Sequence, residues 1–235
     1  MKINEAVILA GGLGTRLKSE VPDLPKCMAP VAGRPFIDHL IHFFLKAGID
    51  TFVFALGYKS EHVISHLKDN WKDLKYNYTI ETEPLGTGGA ILLASTAIKG
   101  DDFFVFNGDT MFSVEPDQIM QVHQVNNAFI TIALKPMKNF DRYGTVDITD
   151  DHKITGFREK SFCKEGLING GIYLVNKTKL LNLHLPERFS FEKDVLEIQT
   201  KVGTVYGTMF DSYFIDIGIP EDFRKANSDF MRSDL

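Results

Sequence analysis

The chain has 235 residues, a formal net charge of −5 and 44% hydrophobic residues, enough to bury a full core in one α/β domain with a small lobe. Its acidic balance argues against sequence-independent nucleic-acid binding, which needs a basic footprint. Two cysteines, Cys27 and Cys163, cannot form a disulfide framework or a four-ligand zinc site, and without a secretory signal or an apolar run near ~18 residues the expected location is cytoplasmic, with no membrane partner.

Ala6-Val7-Ile8-Leu9, bounded by glycines, reads as a buried strand. Pro35 then opens an amphipathic run through Phe36, Leu40, Phe43 and Phe44, and Gly48 stops it, which is the helix asymmetry of proline first and glycine last. Thr51–Leu56 is the second predicted strand, and Ser60 caps a helix through Val63, Ile64 and Leu67. Tyr76–Ile80 alternates as a third strand, Gly86–Ile98 is a helix, and Phe103–Phe106 is a short buried strand ending in Asn107-Gly108-Asp109. A helix over Pro116–Asn126 and a strand over Phe129–Lys135 follow. This alternation predicts a mostly parallel, doubly wound sheet.

From about Tyr143 the rhythm changes, with short strands over Thr145–Ile148, Ile154–Phe157 and Gly171–Val175. Ser190 begins a helix through Phe191, Val195 and Ile198, and Val205–Met209 and Tyr213–Ile217 are further strands. Pro220-Glu221-Asp222 opens the last helix, with acids where its N-terminus favours them.

The stretch Leu9-Ala10-Gly11-Gly12-Leu13-Gly14-Thr15-Arg16-Leu17 follows the first strand, and α/β sheets bind ligands beyond the carboxyl ends of their strands. Glycines there bring bare N–H groups together as an anion nest, and Arg16 adds a fork that suits phosphate oxygens. The loop is not a Walker loop, which needs Gly-Lys-Ser/Thr after four residues. Nor does it complete the dinucleotide fingerprint, because Leu17 stands where the helix-packing glycine belongs. A plain glycine turn with a solvated arginine is the alternative.

Asp109, at a strand end, is a natural Mg²⁺ ligand, although Asn-Gly-Asp is also good turn chemistry. Asp216 is an acid inside an apolar strand, expensive to bury unless paired or metal-bound. Two such acids on converging strand ends would hold one Mg²⁺ against a triphosphate. Lys26, after Pro25, could meet the developing negative charge, and the neighbouring Cys27 reads as a reduced bystander. Glu81 precedes a second glycine-rich turn, Pro84-Leu85-Gly86-Thr87-Gly88-Gly89. Its carboxylate can accept two hydrogen bonds at once, which suits the N1–H and amino group of guanine and suits uracil or thymine poorly, an exposed strand-end acid being the alternative. Glu159-Lys160 with Asn169-Gly170-Gly171 offers the hydrogen-bonding groups and bare backbone that a sugar phosphate needs, though a plain hairpin would also explain the cluster.

Taken in order, Leu-Ala-Gly-Gly-x-Gly-Thr-Arg-Leu, Pro25-Lys26, Pro84-Leu85-Gly86-Thr87-Gly88, Asn107-Gly108-Asp109, Glu159-Lys160, Asn169-Gly170-Gly171 and Asp216-Ile217-Gly218 resemble the sugar-1-phosphate nucleotidyltransferases over nearly the whole chain. Within that family, Phe140–Val146, Leu167–Tyr173 and Phe214–Asp222 resemble the D-glycero-α-D-manno-heptose 1-phosphate guanylyltransferases. Mannose-1-phosphate and muramate-type enzymes share much of this.

The resemblance implies a Rossmann-like, doubly wound, mixed but mostly parallel sheet, without the C-terminal β-helix of longer relatives. It implies a single domain over 1–235, with about 1–135 binding the nucleotide and about 136–235 the sugar phosphate. The implied substrates are GTP and a sugar 1-phosphate, the cofactor Mg²⁺, and the cellular role the supply of activated sugars for surface polysaccharide. Leu9, Ala10, Gly11, Gly12, Gly14, Thr15, Glu81, Gly86 and Thr87 would cradle the nucleotide. Arg16 and Lys26 would polarise its phosphates, and Asp109 and Asp216 would hold the metal. Gly144, Glu159, Lys160 and Asn169 would contact the sugar phosphate. A glycosyltransferase, a nucleotide-sugar sensor and a dinucleotide oxidoreductase are the rivals. The Gly-Gly-x-Gly-Thr-Arg loop with Pro25-Lys26 argues against the first, the joint presence of Arg16, Lys26, Asp109 and Asp216 against the second, and Leu17 against the third.

Overall fold

The structure is a computed structural model that describes residues 3–12, 14–17 and 19–232; Leu13 of the glycine-rich stretch lies outside the described residues. The elements follow one another as β1 (Glu5–Leu9), β2 (Pro30–Val31), β3 (Arg34–Pro35), α1 (Phe36–Lys46), β4 (Thr51–Leu56), α2 (Ser60–Asn70), β5 (Lys75–Ile80), α3 (Gly86–Ser95), β6 (Asp102–Asn107) and β7 (Thr110–Phe112). Next come α4 (Pro116–Val125), β8 (Ile130–Phe140), β9 (Thr145–Ile148), β10 (Ile154–Arg158), β11 (Cys163–Asn176) and α5 (Lys177–Leu181). A π-helical turn over Phe191–Leu196 leads into α6 (Glu197–Val202), followed by β12 (Val205–Met209), β13 (Phe214–Asp216) and α7 (Pro220–Arg232).

The main sheet runs β10-β9-β11-β6-β1-β4-β5, with β8 against β11 and β12 against β8. It is mixed, and the stretch β6-β1-β4-β5 is parallel throughout. Both faces are covered, as an apolar run rather than an alternating one requires. On one face Ile8, Phe52, Phe54, Phe104 and Phe106 meet Leu40, Ile41 and Phe44 of α1, with Phe44 stacked on Phe106 at 3.7 Å. On the other, Val7, Val53, Phe103 and Val105 pack with Ile91 and Ala94 of α3. Each such large side chain, fully buried, contributes roughly 1.5–3 kcal/mol. These two layers fix the carboxyl ends of β1, β4, β5 and β6 along one line, and the glycine-rich turns sit there.

One expectation is corrected and two are sharpened. Ser60 is the first residue of α2 and not its cap; Lys59 holds that place in the left-handed region, at φ 54°, with no side-chain cap bond. Asn169-Gly170-Gly171 is not a hairpin turn but lies inside the 14-residue β11, where the pairing with β8 shifts register between Asn169 and Tyr173. Gly171 takes φ +74° at that break. Phe214–Asp216 belongs to a separate two-stranded sheet with β7, in which Asp216 is opposite Thr110.

Candidate active site

The first glycine-rich stretch leaves β1 and is tied at once to both neighbours: Ala10 N donates to Ala55 O (2.9 Å) and Gly108 N donates to Leu9 O (2.9 Å). Gly14 takes φ +56°, backs against Lys26 and leads into a tight turn over Thr15–Leu17. Leu17 is buried in the core, so the residue that breaks the dinucleotide fingerprint anchors the loop from below. Gly12 is different, because a Cβ there would meet nothing within 4 Å. Its bare face is turned to the cleft.

Glu81 sits in a slot made by two glycines. A Cβ on Gly57 would come within 2.6 Å of Glu81 Oε1, and one on Gly11 within 3.1 Å. Its other oxygen accepts the Leu85 N–H at 3.0 Å. The carboxylate thus holds the Pro84–Leu85 turn in place, and each oxygen retains a lone pair for a further donor.

The acids meet at Lys26. Its Nζ donates to Asp109 Oδ2 at 2.5 Å and to Asp216 Oδ1 at 3.3 Å. The pairing of β7 with β13 causes this, reinforced by Ile217 N donating to Asp109 O (3.0 Å). Gly218 N donates to Asp216 Oδ1 (2.8 Å), and a Cβ on Gly218 would stand 2.8 Å from Lys26 Nζ. Two carboxylates facing one cation are the donor set that Mg²⁺ takes together with phosphate oxygens, so the residues fit that ion. Among the described residues no group of three or more His, Cys, Asp or Glu is placed to hold a metal, so the remaining ligands would come from substrate and water.

Three adjoining cavities meet at Asp109. The first, about 590 Å³, is lined by Leu9, Gly11, Gly12, Glu81, Gly86 and Thr87, with Glu83 and Asn107. The second, about 320 Å³, takes in Ala10, Gly14, Thr15, Arg16 and Lys26. The third, about 430 Å³, has Gly144, Lys160, Asn169 and Asp216 in its wall and shares Arg16 with the second. Asp109 lines all three. Of the residues expected to touch nucleotide, metal or sugar phosphate, Glu159 alone lines none of them, and it is exposed.

Several wall residues escaped the sequence reading. Tyr143 and Tyr173 line the third cavity. Burial, with the Asp216 charge second, pushes the Tyr143 hydroxyl up to about 12. Burial and the nearby Glu192 charge raise Tyr173, whose oxygen accepts from Asn169 Nδ2 at 2.9 Å. Arg142 pairs with Asp222 at the start of α7 (2.6 Å). Glu192 lines the first and third cavities. A tyrosine beside a glycine in Tyr143-Gly144 was the available signal; Glu192, in a run that reads as an ordinary helix start, carried none. Burial and the Asp109 charge raise the Cys27 thiol to about 12, which makes it inert at neutral pH.

The arrangement is a cleft with a glycine-rich backbone wall, two basic side chains and a paired set of acids between two larger chambers. The chain is 45% identical over 227 residues to the D-glycero-alpha-D-manno-heptose 1-phosphate guanylyltransferase of Aneurinibacillus thermoaerophilus, covering 97% of this chain and 98% of that one. It is 44% identical to the enzyme of the same name from Campylobacter jejuni, over 93% and 96% of the two chains. The crystal structure of HddC from Yersinia pseudotuberculosis complexed with GMP-PN superposes with a TM-score of 0.87 at 37% identity, over 97% of this chain and 100% of that one. The family model for nucleotidyl transferases matches residues 5–233, and the chain belongs to that family.

Proposed function

We propose that this protein transfers GMP from GTP to D-glycero-α-D-manno-heptose 1-phosphate, forming GDP-heptose and releasing pyrophosphate. The observation that carries the reading is the meeting of three cavities at Asp109, with Arg16 and Lys26 in the middle one. The likeness to two heptose 1-phosphate guanylyltransferases supports the choice of sugar and base.

In this reading the first chamber takes guanosine, with Glu81 accepting from the base. Gly12 and Gly14 give their backbone to the triphosphate, and Arg16 and Lys26 draw negative charge away from the α-phosphorus. The acceptor phosphate is itself the nucleophile, so no covalent enzyme intermediate is needed. The chain contributes positioning and charge stabilisation for an in-line attack. Asp109 and Asp216 would hold Mg²⁺, which supplies neutralisation of phosphate charge when bound. Gly144, Lys160 and Asn169 would orient the sugar phosphate. We place the enzyme in the cytoplasm, where its substrates are made, and its product in surface-polysaccharide synthesis; among the described residues no helix is long and apolar enough to cross a membrane.

Pyrophosphate release over a matrix of nucleoside triphosphates and sugar 1-phosphates, with Mg²⁺, tests the reading. GTP with the heptose 1-phosphate should be the best pair. Silence across the matrix refutes the activity, and a better rate with another base or sugar refutes only the assignment.

A further inference from the structure

The glycines that open α3 are pressed against the second half of the chain. Gly88 N donates to Phe189 O and Phe189 N donates to Leu85 O, both at 3.1 Å. A Cβ on Gly88 would stand 2.2 Å from the Phe189 ring, one on Gly86 2.6 Å from Phe189 O, and one on Gly89 2.3 Å from Glu187 O. Only bare backbone allows this approach. It delivers the following residues to the cleft in a fixed pose.

Ser190 then caps the π-helical turn, accepting from Lys193 N (3.2 Å) while its own N–H donates to Asp194 Oδ2 (2.8 Å). Phe191 is buried edge-on against Tyr173, with ring centroids 5.3 Å apart. π-helical turns are rare and cluster at functional sites. This one presents Glu192, whose Oε2 accepts from Ser190 Oγ at 3.1 Å.

Among the described residues, Asn107, Asp109 and Glu192 line both the first and the third cavity. Asn107 ends β6 and Asp109 follows it in the turn to β7; Glu192 comes from the other half of the chain. A carboxylate at this junction is repelled by phosphate oxygens and, when ionised, offers only acceptors. Its natural partner is a pair of adjacent hydroxyls, which it can bind with both oxygens. The ribose of GTP and a manno-configured acceptor each carry a cis 2,3-diol.

We propose that Glu192 is a specificity residue that accepts hydrogen bonds from a cis-vicinal diol where nucleotide and acceptor meet. The acceptor source of that diol rests on the guanylyltransferase reading; the nucleotide source requires only that GTP binds.

The test pairs calorimetric titration of GTP and 2′-deoxy-GTP with kinetics on the heptose 1-phosphate and its 2-deoxy analogue, for wild type, Glu192→Ala and Glu192→Gln. Hydrogen bonds to a charged group predict a loss of about ten- to a hundredfold on the diol compound. A ribose contact appears as weaker GTP binding by Glu192→Ala, with 2′-deoxy-GTP binding the same as in wild type. A sugar contact appears as a raised acceptor KM with GTP affinity unchanged, and with no added loss on the deoxy sugar. The isosteric Glu192→Gln keeps the comparison valid if Glu192→Ala lowers the melting temperature, and it should show the smaller loss in the same direction. Variants that treat all four compounds as wild type does, or that lose equally on diol and deoxy forms, overturn the proposal. A wild type that binds GTP but releases no pyrophosphate sinks the guanylyltransferase reading and the sugar source with it, and the two GTP titrations still decide the ribose source.

Discussion

The two sides of the cleft are built from different material. Toward the parallel strands the wall is largely backbone: short turns after β1, β4 and β5 whose glycines either face open space, as Gly12 does, or accept another group at close range, as Gly57 and Gly88 do. Toward the long antiparallel strands β8 and β11 the wall is side chains, among them Tyr143, Lys160, Asn169 and Tyr173. Backbone N–H groups suit what every nucleoside triphosphate shares, its phosphates. Side chains suit what differs between sugars. Where the walls meet, Lys26, Asp109 and Asp216 belong to neither kind, since they are charged groups held by one another.

The meeting point should be the most sensitive place. Asp109→Asn and Asp216→Asn are each expected to lower turnover by orders of magnitude while circular dichroism stays native. Because the pair acts as a unit, the double variant should be little worse than either single one. Strictly multiplicative losses would separate the two acids.

Glu81 tests whether the first wall is wholly generic. Two charge-assisted bonds to guanine are worth about 3 kcal/mol together, so GTP should exceed UTP by roughly a hundredfold in kcat/KM. Glu81→Gln should erode that ratio, since an amide offers one donor and one acceptor. An unchanged ratio would transfer base reading to Glu83 or the backbone. Steady-state kinetics with both triphosphates decide it.

The glycines divide more finely. Gly12→Ala meets no atom within 4 Å, so its melting temperature should match wild type while the KM for GTP rises, by about tenfold. Gly88→Ala drives a methyl into the Phe189 ring and should cost about 1–3 kcal/mol of stability. Thermal melts beside KM values separate the two, and the reverse pattern would break the division between walls. The smallest effect is expected at Cys27. With its thiol raised to about 12 it should stay protonated at neutral pH, so a thiol reagent should label the half-exposed Cys163 and spare Cys27 in the folded protein.

The same contrast explains what the sequence made legible. In the parallel half each strand is a short apolar run closed by glycine or a polar turn, so Thr51–Leu56 and the glycine-rich turns could be placed from the residues alone. The second half of the chain hides its order. β11 runs through Asn169-Gly170-Gly171, a stretch that a hairpin would also explain, because its partners β8 and β6 lie more than 20 residues earlier in sequence. β7 is three residues long and is a strand only because β13 pairs with it. Ser60 invited a cap, but the chain reaches α2 through Lys59 in the left-handed region, which leaves the Ser60 side chain no capping role. Glu192 gave no sign at all, since its place depends on three glycines a hundred residues away.

Because Lys26 is locked between Asp109 and Asp216, its charge is cancelled locally and projects little field into solvent. The described lining residues carry five carboxylates, on Glu81, Glu83, Asp109, Glu192 and Asp216, against four basic groups, on Arg16, Lys26, Arg158 and Lys160, in a chain of net charge −5. An incoming triphosphate therefore meets no long-range attraction, and its capture is a matter of contact rather than steering. Stopped-flow association of a fluorescent GTP analogue should stay level or quicken as salt is raised, because screening weakens repulsion. A rate that falls steeply with salt would mean that Lys26 is released from its acids before the nucleotide arrives.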